Sequence, residues 1–235
     1  MKWTEIKKSL TQKFKGYLPQ LGLELYKFDN YSFYILKKFE GATGFTALGK
    51  YMRYNAINFQ GGGPSMQLDE IENIIFPLIL KHKLWDTVEK PTKPSSTFGA
   101  YYESEIEREL RIFPSSIIIT NEEDLDDFFI SLKPFFENYA LPWFEKYRKI
   151  EALNDLINTL TMQELLNCFY GPFPGSFYRS MLVAHLCNNE KKVAEIKEEC
   201  LKRFELCKTD NFYSAETISN YYNSLEDLSN QVAKK

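Results

Sequence analysis

The chain has 235 residues, a formal net charge of −3, and hydrophobic residues at 44% of its positions. This balance is typical of a globular protein that buries its core without disulfides or a metal, and the even spread of Lys and Arg excludes the basic cluster that nucleic-acid binding needs. No apolar stretch approaches the roughly 20 residues of a membrane span, so we expect no membrane partner.

The first 60 residues predict a helix followed by antiparallel strands. Apolar residues spaced by three and four indicate an amphipathic helix over residues 3–18. Aromatic and branched residues indicate strands over 31–39 and 45–60, joined by a hairpin turn near 41–44. Gly49 is predicted to mark a bulge or the end of a first short strand.

The next 60 residues mix one helix with two further strands. Helical spacing runs from Leu68 to His82, and Pro77 is expected to kink or end that helix because it lacks a backbone donor. Residues 98–102 and 116–120 resemble strands. Two segments are less regular: 89–96 is predicted as a loop, and 103–113 fits either an edge strand or a short helix.

From residue 121 onward every apolar pattern has a helical period, including a single helix predicted over 152–169. We therefore predict an α+β fold: an N-terminal helix, an antiparallel sheet of about four or five strands with a packed helix, then an all-helical C-terminal half. The predicted regions are 1–120 for the sheet and 121–235 for the helices, which can also form one continuous domain.

The four cysteines, Cys168, Cys187, Cys200 and Cys207, all fall in predicted helices and form no C-x-x-C pair. In a chain with its own core this usage predicts free, buried thiols in a reducing compartment. The charged residues near Met1 do not resemble the apolar run of a signal peptide. We therefore expect a cytoplasmic protein.

Three glycines at 61–63 lie between a predicted strand and a predicted helix, where phosphate-binding loops occur. No Lys follows them, while Asp69 and Glu70 place negative charge in the first helical turn. A turn is therefore favoured over an anion site.

The chain offers few residues for catalysis. Its two histidines, His82 and His185, are isolated and predicted to be structural, with His82 at the C-terminus of a helix. No spacing typical of a metal site or of a Ser nucleophile occurs, and Ser176 is better explained as a helix cap. We expect no cofactor, no metal and no catalytic residues of a familiar type.

An acidic run at the start of a predicted helix is the one candidate binding site: Glu122, Glu123, Asp126 and Asp127. One explanation is local, since Thr120 or Asn121 can cap the helix and carboxylates favour its positive end. The alternative is that these four residues bind another protein with a basic surface. Metal binding is a third, weaker interpretation.

Three parts of the first two-thirds of the chain form a recognisable series: the strands that end at 57–60, the helix start at 120–125 and the Ala-Leu-Pro-Trp-Phe step at 140–144. In these parts the chain resembles uncharacterised bacterial proteins of the family called domain of unknown function four-three-zero-four. The family implies further strands after Gln60, where this sequence predicts a helix. It implies no catalytic residues, and some members are similar to immunity proteins, which favours binding.

Three hypotheses of function are compatible with the sequence. The first is a non-enzymatic module that binds a protein through its sheet or through its acidic, aromatic helical half, since Phe and Tyr together supply 34 residues. The second is a small-molecule binder with an aromatic-lined pocket between sheet and helices. The third is an enzyme with a carboxylate or Tyr centre. The sequence does not determine the oligomeric state.

Overall fold

The structure is a computed structural model, and it describes residues 1–28, 32–53, 56–61, 63–84, 96–99, 117–210 and 212–232. The chain forms two compact units: Met1–Met66 with Glu103–Arg148, and Gln67–Tyr102 with Lys149–Lys235. These units interleave along the sequence. The predicted boundary after residue 120 marks where the secondary structure becomes helical. That this boundary also separates two domains stays a prediction. Most of the predicted loop 89–96, and all of segment 103–113, lie outside the described residues.

Seven strands occur in the described residues: β1 Glu24–Phe28, β2 Ser32–Phe39, β3 Ala42–Arg53, β4 Ala56–Gly61, β5 Ser65–Leu68, β6 Phe98–Gly99 and β7 Ile117–Ile119. Five of them form an antiparallel sheet in the order β1-β2-β3-β4-β7. This confirms the predicted α+β class and the antiparallel sheet.

The β2–β3 hairpin is confirmed, and its turn is tighter than predicted. Phe39 pairs with Ala42, so Glu40 and Gly41 form a two-residue turn in which Gly41 has a φ of 70°. Glycine adopts this left-handed conformation without strain, which suits Gly41 to the second position of the turn.

The strand structure predicted over 45–60 is present, and it consists of two antiparallel strands, β3 and β4. Gly49 is neither a bulge nor a strand end, since it lies inside β3 and pairs with Gln60. The same aromatic and branched composition continues through both strands, so periodicity could not reveal where the chain reverses.

Helices pack on the sheet of the first unit. Helix α1 spans Trp3–Tyr17 and buries Ile6, Leu10 and Phe14, as its periodicity predicts. Later in this unit lie α3 (Glu122–Pro134), a π-helical turn (Phe135–Ala140) and α4 (Leu141–Tyr147). The ring centroids of Phe14 and Phe33 lie 5.5 Å apart, edge to face, which joins α1 to strand β2.

The second unit is mainly helical. Its helices are α2 Asp69–Lys81, α5 Ile150–Thr159, α6 Met162–Cys168, α7 Gly175–Leu186, α8 Glu190–Thr209 and α9 Ala215–Val232. Helices α3 to α9 all lie after residue 120 and confirm the predicted helical C-terminal half. Across the described residues, every helix is too short or too polar to cross a membrane.

Three details of the second unit correct or narrow the predictions. Of the two outcomes expected for Pro77, an end of the helix is wrong because α2 continues to Lys81, and a kink stays a prediction. The predicted helix 152–169 is two helices, because Thr161 caps α6 and accepts a hydrogen bond from the Glu164 backbone N–H. Ser176 is not a cap, since α7 already begins at Gly175 after a Pro174 N-cap.

A candidate binding groove in the second unit

An open groove with a volume of about 940 Å³ lies on the second unit. Five of its lining residues are aromatic: Tyr170, Phe173, Phe212, Tyr213 and Tyr221. Tyr170 is 53% exposed and Phe212 is 86% exposed. Two large aromatic side chains that face solvent beside a concave surface are typical of a binding site.

The inner wall of the groove is fixed by ring packing. Phe173 contacts Phe177, Phe204 and Tyr221 edge to face, with ring centroids 5.5–5.8 Å apart. Tyr213 lies against Tyr221 with a centroid distance of 6.2 Å. These contacts connect α7, α8 and α9, so the wall is part of the hydrophobic core of this unit.

The Tyr170–Pro174 loop, which forms one edge of the groove, is held from below by Arg179. This side chain is fully buried, and its Nη1 donates hydrogen bonds to the carbonyl oxygens of Tyr170 in the loop (3.0 Å) and of Gly175, the first residue of α7 (3.3 Å). A buried guanidinium with fixed acceptors orients the loop backbone in one position.

Arg179 is in turn paired with Glu72 of α2. Its Nε and Nη2 donate to the two carboxylate oxygens at 2.8 and 2.7 Å, the geometry of a bidentate ion pair. Thr97 also donates to Glu72 (2.8 Å) and accepts from the Leu68 backbone N–H (2.9 Å). Both charges of the pair are therefore compensated inside the unit.

The groove carries little charge. Lys83 is the one charged residue among the described residues that line it. Burial raises the pKa of the Tyr213 phenol, and a hydrogen bond with Cys207 acts in the same direction. Tyr213 is therefore neutral at physiological pH, and the surface is suited to apolar contact with one cation at its edge.

The acidic run lies on the first unit, at the start of α3, where two of its four residues contact α1. Glu122 accepts a hydrogen bond from Ser9 (2.8 Å), and Asp126 pairs with Lys13. Glu123 and Asp127 are exposed. Glu122 and Asp126 thus serve packing within the unit.

The predicted capping of this helix is confirmed. The Asn121 side chain accepts from the Asp124 backbone N–H (2.9 Å), and Asp124 accepts from the Asn121 backbone N–H (3.1 Å). Hydrogen bonds from the Thr120 hydroxyl and backbone N–H lower the pKa of Asp124. This reciprocal pattern is a capping box, which satisfies amides that the helix itself leaves unpaired.

The triple glycine does not precede a helix. Gly61 ends β4, and β5 follows before α2 begins at Asp69. Gly62 lies outside the described residues. The arrangement that a phosphate loop requires, a helix N-terminus directly after the glycines, is therefore not present.

The histidines and cysteines have structural surroundings. His82 follows the last residue of α2, as predicted, and its Nε2 lies 2.6 Å from Asp227 Oδ2. His185 is half-buried, with Nδ1 3.8 Å from Glu190 Oε1. The four cysteines are free thiols. Among the residues that the structure describes, no group of three or more His, Cys, Asp or Glu side chains could hold a metal ion.

Sequence reasoning missed both the groove and its buried ion pair. A signal was present for each: Arg179 interrupts an otherwise apolar helical stripe, and aromatic residues flank the Gly-Pro-rich loop at 171–175. Neither signal indicates which distant residue lies beside it. Protein-family models, curated proteins and solved structures include no match to this chain. The resemblance to domain of unknown function four-three-zero-four therefore stays a prediction.

Proposed function

We propose that this chain is a non-enzymatic binding module that holds an extended segment of a partner protein in the aromatic groove. The observation that carries the proposal is the exposure of Tyr170 and Phe212 above a fixed aromatic wall. Aromatic residues that face solvent dominate the affinity of many protein interfaces, because each buries a large area at low entropic cost.

The rigidity of the groove supports binding. Arg179 holds the Tyr170–Pro174 loop through the Tyr170 carbonyl, and Phe173 is packed among three other rings. A surface that is already ordered loses less conformational entropy when a partner associates. Binding energy from the aromatic contacts is then available for affinity.

The chemistry of the groove defines the segment that fits it. Rings on both sides favour apolar, aromatic or proline side chains, as in other aromatic-lined grooves that bind extended peptides. Lys83 at the edge favours a carboxylate, from Asp, Glu or a chain terminus. We therefore propose an apolar segment with one acidic group.

A peptide library displayed on phage tests this proposal. Selection on the wild-type chain is expected to enrich apolar sequences that contain an acidic residue. The enriched phage should lose binding to the Tyr170→Ala, Phe212→Ala double variant and keep binding to Leu206→Ala. Leu206 is a suitable control because it is 68% exposed on α8 and does not line the groove. Enriched phage that bind the double variant as well as they bind the wild type would show that the groove is not the site.

A small aromatic ligand is the second candidate for the same groove. Its volume, about 940 Å³, lies near the upper end of the range of roughly 300–1,000 Å³ for small-molecule sites. A thermal-shift screen with aromatic carboxylates tests this alternative. Stabilisation of the wild type but not of the double variant, without any peptide enrichment, would favour the small ligand.

The cellular setting is also a proposal. Four free thiols are typical of a reducing compartment, which supports a cytoplasmic location. The resemblance noted in the sequence supports a bacterial origin and a role similar to that of immunity proteins, which bind a partner without chemistry. Measuring the redox state of the four thiols in freshly lysed host cells tests the location: disulfides in the native chain would contradict it.

A further inference from the structure

Helices α1 and α3 of the first unit lie side by side and run in the same direction. Ser9 bonds to Glu122, and four residues later Lys13 pairs with Asp126. Because both partner numbers increase by four, about one turn of each helix, the two helices are parallel and level turn by turn.

The outward sides of these two helices carry opposite charges. Lys8 and Lys15, two turns apart on α1, are exposed, and so are Glu123 and Asp127, one turn apart on α3. Ile130 follows Asp127 on the same side of α3 and is 58% exposed. We call these five residues the charged face. In the part of the chain that the structure describes, its four charged side chains form no ion pair with each other or with other residues.

We infer that two copies of this chain associate through the charged face, around a two-fold axis parallel to α1 and α3. Such an axis places α1 of one copy on α3 of the other, and the same contact then forms a second time. Basic α1 meets acidic α3 in both contacts. An axis across the helices would instead place lysines on lysines and carboxylates on carboxylates, which is unfavourable.

The heights of the charged residues along the helix axes fit this two-fold arrangement. Rotation about an axis parallel to the helices leaves every residue at its own height. Asp127 is one residue beyond the partner of Lys13 and Lys15 is two residues beyond Lys13, so their heights differ by one residue rise, about 1.5 Å. Glu123 is one residue beyond the partner of Ser9 and Lys8 is one residue before Ser9, so their heights differ by two rises, about 3 Å.

The charged face also includes a shallow depression on α1 and an exposed apolar side chain on α3. Lys8 and Lys15 line a shallow depression along α1 with a volume of about 480 Å³. All of its lining residues belong to α1, so it leaves space between the side chains of that helix. Ile130 supplies apolar area beside the charges of α3. The prediction that acidic residues of α3 bind a basic surface is thereby narrowed to Glu123 and Asp127, with α1 of a second copy as the basic surface.

Sedimentation velocity on the full chain tests this inference with two charge-reversed variants. The acidic variant carries Lys8→Glu and Lys15→Glu, and the basic variant carries Glu123→Lys and Asp127→Lys. Each variant alone has like charges in both contacts, so its dimer Kd is expected to rise at least about tenfold. An equal mixture has opposite charges in both contacts and is expected to form a heterodimer.

Salt and a matched control complete the experiment. The wild-type dimer is expected to weaken as the Debye length falls from about 10 Å at 0.1 M salt to about 3 Å at 1 M. The control, Lys191→Glu with Lys202→Glu, changes the net charge equally on α8 of the second unit and should dimerise like the wild type. Circular dichroism confirms that each variant is folded.

Three outcomes would overturn the inference: a wild type that is monomeric at every concentration, single variants that dimerise as well as the wild type, or a mixture that stays monomeric while the wild type dimerises. The groove residues are unchanged in all of these variants. Peptide binding therefore reports on the proposed function separately, whichever way the dimer experiment ends.

Discussion

Replacement of Arg179 by Met should strongly destabilise the second unit. The substitution keeps most of the side-chain volume but removes the two hydrogen bonds, 2.8 and 2.7 Å long, that the guanidinium donates to the buried Glu72 carboxylate. Breaking a buried ion pair from one side costs about 3–5 kcal/mol, because the remaining charge loses its compensation. That is a large part of the roughly 5–15 kcal/mol by which a typical domain is stable.

Urea unfolding followed by far-ultraviolet circular dichroism measures this loss. With a slope of about 2 kcal/mol per M urea, the midpoint of the Arg179→Met variant should fall by about 2 M. Replacing both partners, Arg179→Met with Glu72→Met, removes the orphaned charge. The double variant should recover to within about 1–2 kcal/mol of the wild type. The remaining loss comes from the Thr97 hydroxyl, which no longer has a Glu72 acceptor, and from the Tyr170 and Gly175 carbonyls, which no longer have the Arg179 donor.

Two results would refute this reasoning. A cost for Arg179→Met below about 1 kcal/mol would mean that the buried pair is worth no more than a surface one. A double variant as unstable as the sum of its single variants would mean that packing, and not charge compensation, sets the loss. Peptide affinity gives a further readout, since the stable double variant still lacks the donor to Tyr170 and Gly175 and should bind more weakly than the wild type.

Three further outcomes follow from local geometry. Gly44→Ala should lower stability by about 1–3 kcal/mol in thermal unfolding, because an added Cβ lies 2.6 Å from the Phe144 ring, whereas Gly16→Ala meets nothing within 4 Å and should be neutral or stabilising. Because folding lowers the pKa of Asp124, the ionised carboxylate stabilises the folded chain at pH values above its ordinary pKa of 3.8. This stabilisation is lost as the pH falls through the lowered pKa. Asp124→Asn should therefore make the urea midpoint depend less on pH between about pH 5 and pH 2. An unchanged dependence of the midpoint on pH would contradict this expectation. Burial raises the pKa of the Cys200 thiol, so a thiol reagent should modify Cys200 slowly in the folded chain. Once the chain is unfolded, the reagent should modify all four cysteines without prior reduction.

The sequence predicts the elements whose periodicity is strong. Helix α1 has Ile6, Leu10 and Phe14 at steps of four, and these three residues form its buried stripe. The acidic helix start at residue 121 carries its own cap, so α3 begins where the sequence predicts. Local signals of this kind do not depend on the rest of the fold.

Predictions failed where tertiary pairing decides the outcome. The four-residue strand β5 is too short to show an alternating pattern, so residues after Gly63 looked like the approach to a helix. Pro77 lies inside α2 without ending it, so only one of its two predicted outcomes, the helix end, failed. Neither result can be derived from the neighbouring residues alone.

The groove could not be predicted from the sequence because its parts are far apart in the chain. Lys83, Tyr170 and Phe212 belong to three separate segments, and folding alone brings them to one surface. The ion pair beneath it joins Glu72 to Arg179, which are 107 residues apart. Composition indicated an excess of aromatic residues but not which of them stay exposed.

Isothermal titration calorimetry with a peptide selected from the library tests most directly whether the groove binds a partner. We expect saturable binding to the wild type and to Leu206→Ala with equal Kd. For the Tyr170→Ala, Phe212→Ala double variant we expect a Kd at least about tenfold higher, since losing two exposed aromatic contacts costs at least about 1.4 kcal/mol. An equal Kd for the double variant and the wild type would contradict the claim that this groove binds the partner.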